Sequence, residues 1–425
     1  MKIALVTAFP PSRHGLNEYG FHVADELRRH RGLDVTILAD HLPEPAPELA
    51  DFSVLRCWAF NRLDNPLSLL SAIRNVQPDV VWYNIGFASF GGKPLPAFFG
   101  LIAPALTRLF SCYTHVTLHQ LFETVNLTDA GVKTPVLYRM AGRVATHLLL
   151  SANSLSVLLP AYRRTLQDQY GRGVIKVRHH GIFASCPEEP DLSNRGNPLH
   201  RILAFGKWGT YKRLETLIDA FKRIVPQSPP VELIIAGGDH PKTPGYVSSV
   251  AERVKHNQLI RFVGYVPEGA IPHLFQTASL VVMPYTSSAG ASGVAHLACQ
   301  YGLPILASDI DDFRELAEHE HVSMEFFAPN EVDSLASSLA SLLRSPERLR
   351  LMARQNFSAA LQMSMPQVIR QYIRSFDVQH RLKMLRTFSR LRSAPRWKPT
   401  RGLLASRLER QLKSWQRPPL DDLEL

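Results

Sequence analysis

The sequence predicts an α/β protein of two Rossmann-like domains facing each other across a cleft, and three observations carry that reading. Short apolar runs alternate with helical patterns, and the runs are continuous rather than alternating in polarity. Strands of that kind are covered on both faces, as in a parallel sheet wound with helices. A proline-rich polar stretch then interrupts the pattern, and the same alternation starts again. With 425 residues and 45% hydrophobic content, the chain is too long for one ordinary core and rich enough for two.

In the first half the strand candidates are KIALVTAF, DVTILAD, SVLRCWAF, DVVWYNI, THVTLH, THLLLS and VIKVRHHGI, with NEYGFHVADELRRH and LSLLSAIRNVQ as helices between them. The stretch ASCPEEPDLSNRGNPLH reads as a linker. Strand candidates then resume with RILAFG, VELIIAGG, LIRFVGYV, SLVVMPY, LPILASD and HVSMEFFAP, separated by helices near 211–224, 246–257, 293–301 and 331–344. The expected division is an N-terminal domain over 1–185, a linker over 186–199 and a C-terminal domain over 200–355. A helix over 356–380 is expected to return to the first domain, followed by a basic tail over 381–425.

Several function classes are set aside by composition. Cys57, Cys112, Cys186 and Cys299 form neither a CxxC pair nor a zinc-site spacing with histidine, so reduced thiols in a cytoplasmic protein are expected. MKIALVTAF runs directly into a β-branched segment without a small-residue cleavage site. LPAFFGLIAPALT is broken by prolines and falls short of the roughly 20 residues that span a bilayer, so it reads as a buried or interfacial helix.

The net charge of +11 is localised. Residues 381–417 carry twelve Lys or Arg against Glu409 alone, which accounts for all of it. Leu382, Met384, Leu385, Phe388 and Leu391, then Leu404, Leu408, Leu412 and Trp415, recur at helical spacing among these cations. An anionic membrane surface suits such a helix, as does packing on the first domain or a charged disordered end. No RNA- or DNA-binding motif accompanies the charge, so no nucleic-acid partner is expected.

Ligands of open α/β sheets sit beyond the carboxyl ends of the strands, so the loops there are candidate sites. In FGKWGTYKRLETLIDAF a strand ends at Gly206, and Lys207 and Lys212 flank a short loop that enters a helix. Ammonium groups beside a helix start form an anion site, although a solvated basic turn would look the same in isolation. After the strand LVVMPY, the small residues Gly290, Ala291, Ser292 and Gly293 allow close approach of backbone to a ligand, with Ser292 placed to cap the next helix.

The order and spacing of these loops, with IIAGG, RFVGYVP and YGLPILASD, resemble the donor-binding domain of GT-B glycosyltransferases of family 4. The first half agrees: FPPSRHGLNEYGFHVADELRRH resembles that family's first loop and helix, VTLHQ its strand-ending histidine, and VRHHGI the segment closing the first domain. The resemblance covers about residues 1–345. It implies a retaining enzyme that uses a nucleotide-diphosphate sugar, UDP- or GDP-linked, and a saccharide or lipid-linked acceptor.

Carried over residue by residue, it places Lys207 and Lys212 on the donor diphosphate, Gly15 against the donor phosphates and His119 facing the donor sugar. Gly264, Tyr265 and Val266 fall where the base packs. The family's two glutamates, seven residues apart around the small-residue turn, correspond here to Ala289 and Leu297. No carboxylate exists anywhere from Tyr285 through Ser308. His296 lies about 100° around the helix from Leu297 and is the nearest polar substitute, although it reads equally as a partly buried histidine satisfied by a neighbour, while Ser287 or Ser288 could serve the first position.

Asp309 and Asp311 have the DxD spacing used by another glycosyltransferase fold for a divalent metal, but they follow a late strand, and no metal or other cofactor is expected. Two alternatives stay open: a catalytically weak glycosyltransferase-like subunit that binds nucleotide sugar or a partner protein, and a 2-epimerase-like enzyme. The carboxylate-free turn argues against the epimerase.

Overall fold

The computed structural model describes the chain except residues 13, 45, 46, 48, 111, 125–134, 185, 186, 192–198, 228, 229, 241, 242, 288–291, 394–401, 403, 404, 407, 408 and 410–425. The first half contains β1 (Lys2–Val6), α1 (Asn17–Arg29), β2 (Asp34–Asp40), β3 (Ser53–Trp58), α2 (Asn65–Val76), β4 (Val80–Ile85), α3 (Pro94–Gly100), α4 (Ala103–Thr107), β5 (Tyr113–Leu118), α5 (Pro135–Leu149), β6 (Ser154–Val157), α6 (Pro160–Tyr170) and β7 (Ile175–Val177). Among the described residues these strands form one parallel sheet in the order β3-β2-β1-β4-β5-β6-β7.

The second half contains β8 (His200–Phe205), α7 (Leu214–Ile224), β9 (Val231–Ala236), α8 (Tyr246–Glu252), β10 (Ile260–Gly264), α9 (Ile271–Gln276), β11 (Leu280–Met283), α10 (Gly293–Gln300), β12 (Ile305–Ser308), α11 (Asp311–His319), β13 (Met324–Phe327), α12 (Val332–Leu343), α13 (Pro346–Gln362) and α14 (Met365–Ser393). Its strands pair in parallel in the order β10-β9-β8-β11-β12-β13. Two parallel-sheet α/β domains are therefore present, as the continuous apolar runs predict.

The pleat divides each strand between two helical layers. Ile3 and Leu5 face the layer that holds α1 and α14, whereas Ala4 and Val6 face the core that holds α2 and α5. Both sheets reverse their strand order at one place, between β1 and β4 and between β8 and β11. Loops leave such a switch point in opposite directions and open a crevice at the carboxyl ends. The loops bearing Gly15, Lys212 and Tyr285 all leave from these strands.

One predicted strand is a helix instead. THLLLS forms the last turn of α5 and the residues just after it, and the pairing strand is Ser154–Val157. Its three leucines suit either state, but Gly142, Ala145, Thr146 and Leu149 repeat at helical spacing and are the buried positions. LPAFFGLIAPALT is likewise split into the short helices α3 and α4, with Leu95 and Phe99 exposed rather than buried.

After α13 the chain crosses back to the first sheet. At the crossing Ile182 N–H donates to Met363 O at 2.9 Å. Met365, Val368, Ile369, Tyr372 and Phe376 of α14 recur at helical spacing and are buried against Ile3, Leu5, Val23 and Trp82. At roughly 1.5–3 kcal/mol per large apolar side chain, this stripe fixes the C-terminal helix on the N-terminal domain. The first part of the basic tail continues the same helix: Met384 and Thr387 turn inward, and Leu382, Leu385 and Phe388 face outward.

Candidate active site

The loops after β8, β9, β10 and β11 are bound to one another through their backbones. Gly206 N–H donates to Ala236 O at 3.1 Å, Trp208 N–H to Gly238 O at 2.8 Å, and Gly237 N–H to Gly264 O at 2.6 Å. Thr286 N–H reaches Tyr211 O at 2.8 Å and so joins the fourth loop to the first. Gly237 has φ +106°, and a Cβ there would lie 1.8 Å from Gly206 O, so no side chain fits. Trp208 is fully buried beneath these loops, its indole N–H on Ala236 O at 2.9 Å. That anchor is invisible in the sequence, where Trp208 is one more residue between two lysines.

Lys212 ends the tight turn Thr210–Lys212 that precedes α7. Its ammonium stands 4.5 Å from the Tyr285 ring centroid, 5.7 Å from Trp208 and 5.9 Å from Tyr211. Gly206, at φ +145°, makes room for it, since a Cβ there would lie 2.9 Å from Nζ. Among the described residues no carboxylate pairs with this cation. Burial, and then the charge of the exposed Lys207, lower its pKa from 10.5 to about 8. The Tyr285 hydroxyl, beside the same space, is buried without a hydrogen-bond partner among the described residues.

An unpaired ammonium walled by aromatic rings is attracted to their faces, yet it lacks the counter-charge that normally accompanies a buried cation. An anionic ligand would supply that charge. The helix that follows the Tyr285 loop starts as expected, with the Ser292 hydroxyl accepting Ala295 N–H at 3.4 Å and Gly293 opening α10. Ser288, Gly290 and Ala291 lie outside the described residues. On the β10 loop Gly264 has φ +64°, Tyr265 is 79% exposed, and Val266 packs on the core of the second domain.

Across the cleft, Gly15 is exposed, with open space where a side chain would be. His119 follows β5 and is buried. Its Nε2 is 2.7 Å from Asn84 Oδ1, and Asn84 Nδ2 donates to Thr7 Oγ1 at 3.1 Å. As placed, Asn84 presents its oxygen, so Nε2 carries the proton and Nδ1 is left as an acceptor. Burial lowers the His119 pKa to about 3, so the ring is neutral. Tyr19 meets it edge-on with centroids 4.5 Å apart.

Of the two sequence readings of His296, a ribose contact or a buried ring satisfied by a neighbour, the structure shows the buried ring. Its ring is 3% exposed and turned into the junction between the two halves rather than toward open space. Nδ1 donates to Ser292 O at 2.8 Å, and Nε2 lies 2.9 Å from Glu320 Oε2, at ion-pair distance but off the line of a good hydrogen bond. His179 Nδ1 is 3.2 Å from the other carboxylate oxygen, and the His180 ring is 4.8 Å from that of His296. Burial opposes both charges. The Glu320 charge nevertheless raises the His296 pKa, while His296 and His179 hold Glu320 well below the usual carboxylate range. The sequence does not mark His179, His180 and Glu320 as site residues. His179 and His180 lie in the VRHHGI segment, but nothing in the spacing of EHEHV points to His296.

Asp309 is held by Arg314, whose Nη2 donates to its Oδ2 at 2.6 Å. Among the described residues no group of three His, Cys, Asp or Glu side chains converges on a metal position. The structure thus brings Gly206, Lys212, Tyr285 and the start of α10 together on one side. It joins His119 to His296 through His180 on the other.

These features define a class, the GT-B glycosyltransferase architecture. Residues 200–345 match the family Glycosyl transferases group 1, which supports a glycosyltransferase. Sucrose-phosphate synthase of Thermosynechococcus elongatus superposes with a TM-score of 0.69 at 14% identity, over 89% of this chain and 99% of that one. HepE of Anabaena, solved in complex with UDP, superposes with a TM-score of 0.64 at 18% identity, over 89% and 100%. A glycosyltransferase of Rickettsia africae gives 0.64 at 14% identity, over 88% and 97%.

Proposed function

We propose that the protein is a retaining glycosyltransferase of family 4 type. It moves a hexose-type sugar from a UDP- or GDP-linked donor to a saccharide or lipid-linked acceptor in the assembly of a surface polysaccharide or glycolipid. The observation that carries this reading is the buried Lys212 ammonium without a carboxylate partner, held at the switch point of the second sheet. A donor diphosphate supplies the missing negative charge, and UDP bound to HepE supports a nucleotide ligand for this fold.

In the proposed reaction the diphosphate leaves on the face that the acceptor hydroxyl attacks, and a diphosphate oxygen takes the acceptor's proton. Lys212 and Lys207 stabilise charge growing on the leaving group, and the neutral His119 ring accepts a hydrogen bond from a sugar hydroxyl through Nδ1. Gly15, Gly206, Ser292 and Gly293 bring backbone to the donor, with Ser288, Gly290 and Ala291 assigned to it by the sequence resemblance alone, and Gly264, Tyr265 and Val266 receive the base. With both ring nitrogens occupied, His296 acts by holding the start of α10 rather than by touching the ribose. The glutamate contacts missing at Ala289 and Leu297 alter donor recognition without removing a catalytic acid or base.

No metal is required in this scheme, so EDTA should leave turnover unchanged. The protein works at the cytoplasmic side of a membrane. The outward Leu382, Leu385 and Phe388, set among the cations of 381–417, support an anionic surface as a partner. A catalytically weak glycosyltransferase-like subunit that binds nucleotide sugar or a partner protein is the second reading, favoured by the carboxylate-free turn.

Thermal shift with UDP, GDP and ADP sugars, followed by product analysis with extracted lipids as acceptors, separates the two. Stabilisation without product supports the subunit. No stabilisation by any nucleotide sinks the enzyme.

A further inference from the structure

We infer that the outer face of α3 and α5 is a docking surface for an anionic lipid bilayer, distinct from the basic tail. The outward positions of α5 form two stripes at helical spacing. Val136, Met140 and Val144 are 71%, 62% and 51% exposed, and Arg139, Arg143 and His147 run beside them. Leu95 and Phe99 make a similar exposed pair on the neighbouring α3, which begins just after Lys93.

Large apolar side chains left exposed in a row mark an interaction surface, and the charge around them selects the occupant. The chain has no Asp or Glu from Gly86 through Phe122, nor anywhere in α5. Among the described residues Lys93, Arg139 and Arg143 make no ion pair. An apolar stripe flanked by unneutralised cations matches the acyl boundary and phosphates of an anionic leaflet. A second copy of the chain fits poorly, because a two-fold contact through this face sets the same cations against each other.

The position of the face gives the contact a purpose. Both α3 and α5 follow the carboxyl ends of strands, β4 and β5, and His119 lies at the end of β5. The docking face therefore adjoins the mouth of the cleft, where an acceptor anchored in the leaflet would arrive. This last step rests on the proposed transferase reading; the lipid contact itself does not.

The full-length protein is sedimented with vesicles of phosphatidylglycerol and phosphatidylethanolamine, and separately with phosphatidylcholine vesicles. Wild type should bind the first and not the second. R139E/R143E should weaken binding by about thirtyfold, and M140S/V144S by about tenfold. Because these side chains are exposed, circular dichroism and the nucleotide-induced thermal shift should match wild type. R381E/R386E on α14 should weaken binding less than the α5 charge variant.

No binding by wild type, equal binding to both vesicles, or α5 variants that bind like wild type would each overturn the inference. So would capture by an acidic protein in place of vesicles. Loss of the nucleotide thermal shift in wild type would strike the transferase reading and leave the vesicle result standing.

Discussion

Replacing Lys212 with methionine tests the site through two readouts that move in opposite directions. A fall in pKa from 10.5 to about 8 corresponds to roughly 3 kcal/mol of penalty on the charged folded state. The unfolded chain binds the proton more tightly, so the penalty is complete below pH 8, shrinks as pH rises from 8 to 10.5, and is absent above. Wild type should gain stability across that interval, and Lys212→Met should not. At neutral pH the apolar variant should unfold at higher urea, by up to about 3 kcal/mol.

Ligand response runs the other way. A nucleoside diphosphate should raise the melting temperature of wild type and leave the variant nearly unmoved, while kcat falls by roughly 10²–10³. A residue that merely packs the loop would show lower stability on substitution and unchanged turnover. That result would refute the assignment of Lys212 to an anion.

Three further substitutions probe the surroundings. Tyr285→Phe removes a buried hydroxyl without a partner, so urea stability should hold or rise, while donor affinity measured by calorimetry should fall by about tenfold if the phenol contacts the diphosphate. Glu320→Gln strands the buried His296 cation and should cost about 3–5 kcal/mol in denaturation. The Glu320 contribution is present above pH 4.5 and that of His296 below 6.5, so the gap from wild type should be widest between them and narrow on either side. Gly237→Ala sets a methyl against Gly206 O, and loss of the cooperative unfolding transition or of nucleotide binding is expected.

Much of the fold is legible because burial on both faces leaves an apolar run for every central strand. LAFG and VVMP mark β8 and β11, and their loops meet where the order of the sheet reverses. THLLLS misleads for the same reason: an apolar run at the buried end of a helix has a strand's composition, and only the earlier Gly142 and Ala145 show the period.

The site is legible where neighbours in sequence are neighbours in space, as with Gly206 and Lys212. It is not legible where the partner comes from another element. His296 can be read as a donor ligand because Glu320, the carboxylate beside its ring, reaches it from the end of α11. Trp208 and Tyr285 escape notice because their roles are to wall a cation, which periodicity does not record.

The treatment of buried charge elsewhere in the chain is what gives Lys212 its weight. Arg201 Nε bonds Glu232 Oε1 at 2.7 Å, Arg56 donates to the carbonyls of Asp40 and Pro10, and His296 meets Glu320. In each case the fold places an oxygen beside the cation it buries, because an unpaired charge away from water costs several kcal/mol. At Lys212 it places three aromatic rings and the backbone of Gly206 instead, and leaves the Tyr285 hydroxyl unbonded alongside. Loops locked by four backbone hydrogen bonds cannot relax to neutralise that ammonium. The folded protein therefore carries a destabilising charge, which an anionic ligand would relieve on binding.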